Sequence, residues 1–180
     1  MSNTMEFMTD KKAVEEDVRR KLLERVAEAE SPDFADDASG YFYAKYLGLK
    51  RQKKGGQFQI IQVIRDGLPL SAGDTLAKHI GLSPKHLLTH YVGMSDSTLR
   101  RRRNDEQPLS SIESERLVRY AHLLSLATNL MDDDEDAARV WLSSPLPALA
   151  GATPLDVAVT ETGARRVEEL IVSLDYGMFS

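Results

Sequence analysis

Four consecutive arginines, Arg100 to Arg103, are the side chains in this sequence whose type and spacing point most clearly to chemistry. A guanidinium group presents its N–H donors in a fixed fork, which matches the paired acceptors of guanine and the oxygens of phosphate. Residues 49–107 hold 11 basic and 5 acidic residues, a net charge of +6, although the whole chain carries −5. The flanking stretches are acidic: residues 1–48 hold 7 basic and 11 acidic residues, and residues 108–180 hold 5 and 12. A local basic surface of this kind favours binding to a polyanion such as nucleic acid.

The residues around the arginine run predict two helices that would present it. Ser83-Pro84 is typical of a helix start, Gly93 of a tight turn, and Ser95 of a second helix start. This spacing is that of a helix-turn-helix, whose second helix enters the major groove of DNA. A helical hairpin with a solvated arginine face is the alternative. The positions that we expect to face inward are Leu87, Leu88, Val92, Met94 and Leu99.

Helical geometry divides the second helix into faces. At about 100° per residue, placing Leu99 inward makes Ser97 and Arg101 point most directly outward. The last two arginines fall toward the buried side, so their side chains would have to extend to its rim, where phosphate is the expected contact. The predicted DNA-contacting residues are therefore Ser97, Thr98, Arg100 and Arg101 for bases, and Arg102 and Arg103 for phosphate.

The rest of the chain reads as short helices joined by turns, which predicts an all-α fold. We divide it into a partly disordered N-terminal extension, 1–56, with one helix at about 11–30, a helix-turn-helix region, 57–109, and a C-terminal part, 110–180. The C-terminal part begins with a long helix that we expect to end near Met131. The expected helix starts are Ser71 with Asp74, Ser110 with Glu113, Thr153-Pro154 with Asp156, and Thr160.

Other residues that could carry chemistry do not form a catalytic or metal-binding pattern. His86 and His90 have the spacing of a two-histidine metal face, but no third ligand stands near them in the sequence. The acidic run at 132–136 lacks the glycine and the distal glutamate of a calcium loop. We therefore predict that the chain is not an enzyme and needs no metal or cofactor.

Cysteine usage and hydropathy bear on where the protein works. The chain has no cysteine, no apolar run near the roughly 20 residues of a membrane span, and no signal-peptide pattern at its start. These features predict a cytoplasmic protein without a membrane partner.

Two features of the C-terminal part leave alternatives open. The long helix has apolar residues on more than one face, which indicates either a dimer interface or a central helix surrounded by its own domain. The chain ends in Tyr176-Gly177-Met178-Phe179-Ser180, an aromatic and apolar tail that is unusual for an exposed terminus. Such a tail either folds back on its own core or inserts into a partner.

Several short phrases, in their order and spacing over about residues 58–180, resemble one protein family: the Xre/MbcA/ParS antitoxins of bacterial RES-type toxin–antitoxin systems. The phrases of the first half are Ile64-Arg-Asp-Gly-Leu-Pro, Leu76-Ala, Gly81-Leu-Ser-Pro, Gly93-Met-Ser, Thr98-Leu-Arg-Arg-Arg and Glu113-Ser-Glu-Arg-Leu. The phrases of the second half are Trp141-Leu-x-x-Pro, Pro147-Ala-Leu, Thr153-Pro-Leu, Glu161-Thr-Gly-Ala and Asp175-Tyr-Gly.

The resemblance implies an Xre-like DNA-binding part followed by a toxin-binding part. It implies a homodimer that binds a RES-domain toxin, blocks the active site in which that toxin consumes NAD, and binds operator DNA to repress its own operon. The toxin-facing part would run from Trp141 to Ser180, with the tail as a plug near the NAD pocket. The toxin-binding residues that the resemblance implies are Trp141, Tyr176, Gly177, Met178 and Phe179. The alternative is a stand-alone helix-turn-helix regulator whose C-terminal part only dimerises.

Overall fold

The computed structural model of the protein describes residues 44–49 and 56–175, all within one compact unit, Ala38–Ser180. These two ranges are helices and turns without a strand, so the predicted all-α fold is confirmed. The helix predicted at about 11–30 and the tail at 176–180 lie outside the described residues. After a single helical turn at 44–46, the helices are α1 (Gly56–Asp66), α2 (Leu70–Ile80), α3 (Pro84–His86, continued by a π-helical turn, Leu87–Tyr91), α4 (Asp96–Asn104), α5 (Ser111–Leu130), α6 (Glu135–Ser143), α7 (Pro154–Val157) and α8 (Glu161–Asp175).

Most of these helices begin where the sequence predicts, because a short polar side chain satisfies an otherwise unpaired backbone N–H group. The Ser83 hydroxyl accepts from the His86 amide at 3.2 Å, and the Thr153 hydroxyl accepts from the Asp156 amide at 3.1 Å. Thr160 likewise accepts from the Gly163 amide at 3.0 Å at the start of α8. The predicted starts at these positions are confirmed.

The predicted cap of α2 at Ser71 is wrong, because the cap position is Pro69, two residues earlier. The helix begins at Leu70 after Pro69, whose φ of −64° already suits a helix entry, and no side chain caps this end. Ser71 lies inside the helix, where its carbonyl accepts from the Thr75 hydroxyl at 2.9 Å. Asp74 does not close a capping box, and its carboxylate instead pairs with Arg103 of α4 at 2.8 Å.

The long helix α5 is the centre of the fold and packs against α1, α2, α6 and α8. Its wide apolar stripe is accounted for mainly by its own domain, since six of its hydrophobic side chains are buried completely and others are partly buried against the same core. Ile112, in its first turn, differs from these because 61% of it is exposed. The buried hydrophobic residues of α5 are Leu117, Tyr120, Ala121, Leu123, Leu124 and Ala127.

The short segment 44–49, which precedes α1, belongs to the same core. Tyr46 and Leu47 are only 1% and 2% exposed. The Tyr46 hydroxyl donates to Thr128 Oγ1 of α5 at 3.1 Å, and its ring lies edge-on to His79 of α2 at 5.1 Å. This end of the N-terminal extension therefore packs against the chain's own helices.

Candidate functional site

The helix-turn-helix consists of α3, a turn at Gly93 and α4. All five positions predicted to face inward are buried, since Leu87, Leu88 and Val92 are 0% exposed and the other two at most 5%. Gly93 has a φ of +84°, which is the left-handed conformation that the predicted turn requires. Arg116 of α5 donates to the Val92 carbonyl at 2.9 Å, so the central helix supports this turn directly.

The start of α4 is held by a group of hydroxyls. The Ser95 side chain accepts from the Thr98 amide at 3.1 Å, which confirms the predicted cap, and its hydroxyl lies 2.8 Å from Thr98 Oγ1. Ser97 Oγ lies 3.0 Å from Ser95 Oγ. Ser97 is exposed and Thr98 is half-buried. Ser97 is therefore the more accessible of the two hydroxyls predicted to contact bases.

The four arginines point in different directions, and the division largely follows the predicted geometry. Arg100 and Arg101 are exposed, and Arg100 Nε donates back to the Asp96 carbonyl at 3.3 Å. Arg103 forms its ion pair with Asp74 on the surface, where both side chains are about half exposed. Arg102 faces inward, but its side chain does not extend to the rim as predicted. It is 13% exposed and lies 2.6 Å from the carboxylate of Glu113.

Glu113 is the partner that explains the inward orientation of Arg102. Burial opposes ionisation of its carboxyl group, but hydrogen bonds from Ser110 and the nearby Arg102 guanidinium outweigh that effect and lower its pKa. Ser110 and Glu113 also form the predicted capping box at the start of α5. The sequence indicated this cap, but nothing in the spacing showed that an arginine of α4 would share its carboxylate.

Of the five predicted toxin-binding residues, Trp141 is the one that lies within the described residues. Trp141 of α6 is half-buried and packs against the core, next to Val140, which is 67% exposed. Tyr176, Gly177, Met178 and Phe179 lie outside the described residues. The last turn of α8, directly before them, exposes Val172 and Leu174 at 49% and 37%.

Sequence reasoning missed the contacts that join the helix-turn-helix to the C-terminal helices. The Tyr91 hydroxyl of α3 donates to Asp156 Oδ1 of α7 at 3.2 Å, across 65 positions of sequence. Burial, together with the Asp156 carboxylate, raises the pKa of Tyr91 to about 12. His79 Nδ1 of α2 lies 2.7 Å from Glu135 Oε1 at the start of α6. The two halves of the described chain are therefore joined by polar contacts as well as by one shared hydrophobic core.

The two histidines that have the spacing of a metal-binding pair contact each other and Tyr91 through their rings. His86 and His90 stack at 5.1 Å between ring centroids, and Tyr91 lies edge-on to both rings. Within residues 44–49 and 56–175, no three His, Cys, Asp or Glu side chains come together as a metal site. Nor does any helix in those ranges combine the length and apolarity needed to cross a membrane.

Each of these two halves matches a known family of protein domains. An antitoxin Xre-like helix-turn-helix domain matches residues 59–122, and an antitoxin Xre/MbcA/ParS C-terminal toxin-binding domain matches residues 126–177. The helix α5 spans the end of the first match and the beginning of the second.

Relatives with antitoxin names match the same part of the chain. Antitoxin Xre of Yersinia enterocolitica is 31% identical over 129 residues, which cover 63% of this chain and 87% of the relative. Antitoxin Xre of Pseudomonas putida is 36% identical over 80 residues, 44% of this chain and 50% of the relative. A protein of a Sphingobium species named Prs ADP-ribosylating antitoxin is 29% identical over 97 residues, 49% of this chain and 61% of that protein. The chain therefore belongs to the Xre family of antitoxins and combines a helix-turn-helix domain with a C-terminal toxin-binding domain.

Proposed function

We propose that this antitoxin neutralises a RES-domain, NAD-consuming toxin by occluding its active site, and that as a homodimer it binds operator DNA to repress its own operon. The observation that carries the proposal is the presence, in one chain, of a toxin-binding domain and a helix-turn-helix with exposed arginines. The name of the Sphingobium relative supports the choice of toxin, because ADP-ribosylation uses NAD as its donor.

The DNA half of the proposal rests on the outer face of α4. Arg101 and Ser97 lie on that face and are exposed, and Arg100 flanks them. Arginine donates to the O6 and N7 acceptors of guanine in the major groove, and this contact discriminates between bases. The net charge of +6 over residues 49–107 supplies the attraction to phosphate that any DNA complex of this chain requires.

The toxin half rests on the acidic, partly apolar C-terminal surface. The stretch 108–180 carries 5 basic and 12 acidic residues, and within it Val140 and the last turn of α8 expose apolar side chains. The aromatic and apolar tail follows that turn directly in the sequence. We propose that Trp141 lies at the edge of the toxin contact and that Tyr176 to Phe179 enter the NAD pocket. The mechanism is steric exclusion of NAD, and this chain does no chemistry on it.

Co-expression with the product of the neighbouring open reading frame, which we expect to be a RES-domain protein, tests the partner and the role together. We expect the two proteins to co-purify, and we expect addition of the antitoxin to stop NAD consumption by the purified toxin at a fixed molar ratio. If the antitoxin binds operator DNA but neither binds nor inhibits that protein, the toxin assignment is wrong and the stand-alone regulator is the better description.

Operator binding is tested by Arg101→Ala. Removing an arginine that contacts a base is expected to weaken operator binding by roughly ten- to a hundredfold, as measured by mobility shift at fixed salt. Arg165→Ala is the matched control, since it removes the same charge from an exposed position on α8. Equal affinities of wild type and Arg101→Ala would show that α4 does not face the bases as proposed.

A further inference from the structure

Arg102 forms the most buried ion pair of the described residues. Its guanidinium lies 2.6 Å from the Glu113 carboxylate, with 13% and 14% of the two side chains exposed. In the other ion pairs of residues 44–49 and 56–175, at least one side chain is exposed by about a third or more. The same nitrogen of Arg102 donates to the Pro108 carbonyl at 2.8 Å. An arginine turned inward in this way is not oriented toward a phosphate.

The carboxylate that receives Arg102 is itself held in place. One oxygen, Glu113 Oε2, accepts from the Ser110 amide and from the Ser110 hydroxyl, each at 2.7 Å, as well as from Arg102. Glu113 therefore cannot follow Arg102 outward without giving up the cap of α5. Separating the pair would leave a carboxylate with little access to water and without its cation, which is strongly unfavourable.

These contacts attach α4, the recognition helix of the proposed DNA complex, on one side. Leu99 and Arg102 are three residues apart in α4 and so lie on the same face. Leu99 is 5% exposed in the core, and Arg102 joins α4 both to the start of α5 and to the loop between the two helices. The direction in which Arg100 and Arg101 point depends on how these two residues hold the helix.

We infer that Arg102 is a positioning residue of the DNA-binding site, which holds α4 against Glu113, and that it does not contact phosphate. The inference rests on the proposed operator binding and assigns a role within that same site. Its partner Glu113 lies at the start of α5, the helix that runs from the DNA-binding match into the toxin-binding match. The recognition helix is thereby positioned relative to the central helix of the whole described fold.

The decisive variant is Glu113→Gln. Glutamine can preserve the capping box, and the change removes one negative charge, so charge alone would tighten DNA binding. Positioning by Arg102 predicts the opposite, a loss of operator affinity of about tenfold, because an ion pair between guanidinium and carboxylate becomes a weaker hydrogen bond to an uncharged amide. Glu115→Gln is the matched control: it makes the same charge change at an exposed position of the same helix. We expect it to bind the operator at least as tightly as wild type.

The salt dependence of binding separates positioning from phosphate contact for Arg102 itself. Arg102→Met is expected to weaken operator binding without changing the slope of log affinity against log salt. A direct phosphate contact would instead lower that slope by about one. A slope lowered by one, or a Glu113→Gln variant that binds as tightly as Glu115→Gln, would overturn the inference.

Hydrogen exchange of the free antitoxin keeps the inference independent of operator binding. We expect the amides of Asp96–Asn104 to exchange faster in Glu113→Gln than in Glu115→Gln, with α6 and α8 unchanged in both. If wild type fails to bind the operator, the proposed DNA function is wrong, and the exchange of α4 still decides whether the Arg102–Glu113 pair holds the helix. Equal exchange of α4 in the two variants would show that it does not.

Discussion

Deletion of residues 176–180 is expected to abolish inhibition of the toxin while leaving the antitoxin folded. The deletion ends the chain at Asp175, the last residue of α8, and so retains the buried side chains of that helix, Ala164, Val167, Leu170 and Ile171. It removes the two aromatic residues that we propose to enter the NAD pocket, Tyr176 and Phe179. Buried aromatic anchors are among the residues that dominate binding energy, so the inhibitory constant measured by NAD consumption is expected to rise by at least about thirtyfold.

A length-matched control separates plugging from docking. Replacing residues 176–180 by five glycine and serine residues keeps the chain length and is expected to lose inhibition as completely as the deletion does. Both variants should retain the wild-type melting temperature and should still co-purify with the toxin through the rest of the C-terminal domain. If the deletion variant inhibits the toxin as wild type does, the tail is not the plug.

Gly163→Ala is expected to destabilise the toxin-binding domain, although glycine-to-alanine changes inside helices usually stabilise them by up to about 1 kcal/mol. A Cβ at this position would overlap the Val157 carbonyl oxygen and lie 2.7 Å from its carbonyl carbon. Both are backbone atoms, so the start of α8 would have to move away from the end of α7. Overpacking of this kind costs about 1–3 kcal/mol and sometimes more. A thermal melt should show a midpoint lowered by roughly 3–10 °C.

The neighbouring Thr162→Ala variant is the control for Gly163→Ala. Thr162 is exposed in the same turn of α8, so its replacement changes helix propensity without creating a clash. Its melting temperature is expected to remain close to that of wild type. A Gly163→Ala protein that is as stable as Thr162→Ala would mean that α7 and α8 do not approach as closely as the structure indicates.

Local signals in the sequence were sufficient to predict the helices and the helix-turn-helix. Ser83, Ser95, Ser110 and Thr153 cap helices as expected, because a cap acts over only three residues and needs no knowledge of the rest of the fold. The helix α2 is the exception, since its cap position is Pro69, two residues before the predicted Ser71, and no side chain caps it. Periodicity likewise predicted the five buried positions of α3, the turn and α4.

The outward direction of Arg101 was also accessible from the sequence, because the angle between residues of a helix is constant once one inward residue is known. The orientation of Arg102 was not. Its position on the helix predicted a side chain that extends to the rim, whereas the structure turns it to Glu113, 11 residues later. A long side chain can reach in several directions, and the partner that selects one of them depends on how α4 and α5 pack.

The contacts of Tyr46 and Gly163 also depend on how separate helices pack. Nothing in the composition of the N-terminal extension indicated where Tyr46 would pack, and its burial between α2 and α5 places it in the core. Gly163 stood in the phrase Glu161-Thr-Gly-Ala without a stated purpose, and the approach of Val157 supplies one. Helix starts and faces follow from interactions within a few residues, whereas the partners of Arg102, Tyr46 and Gly163 were settled by the packing of separate helices.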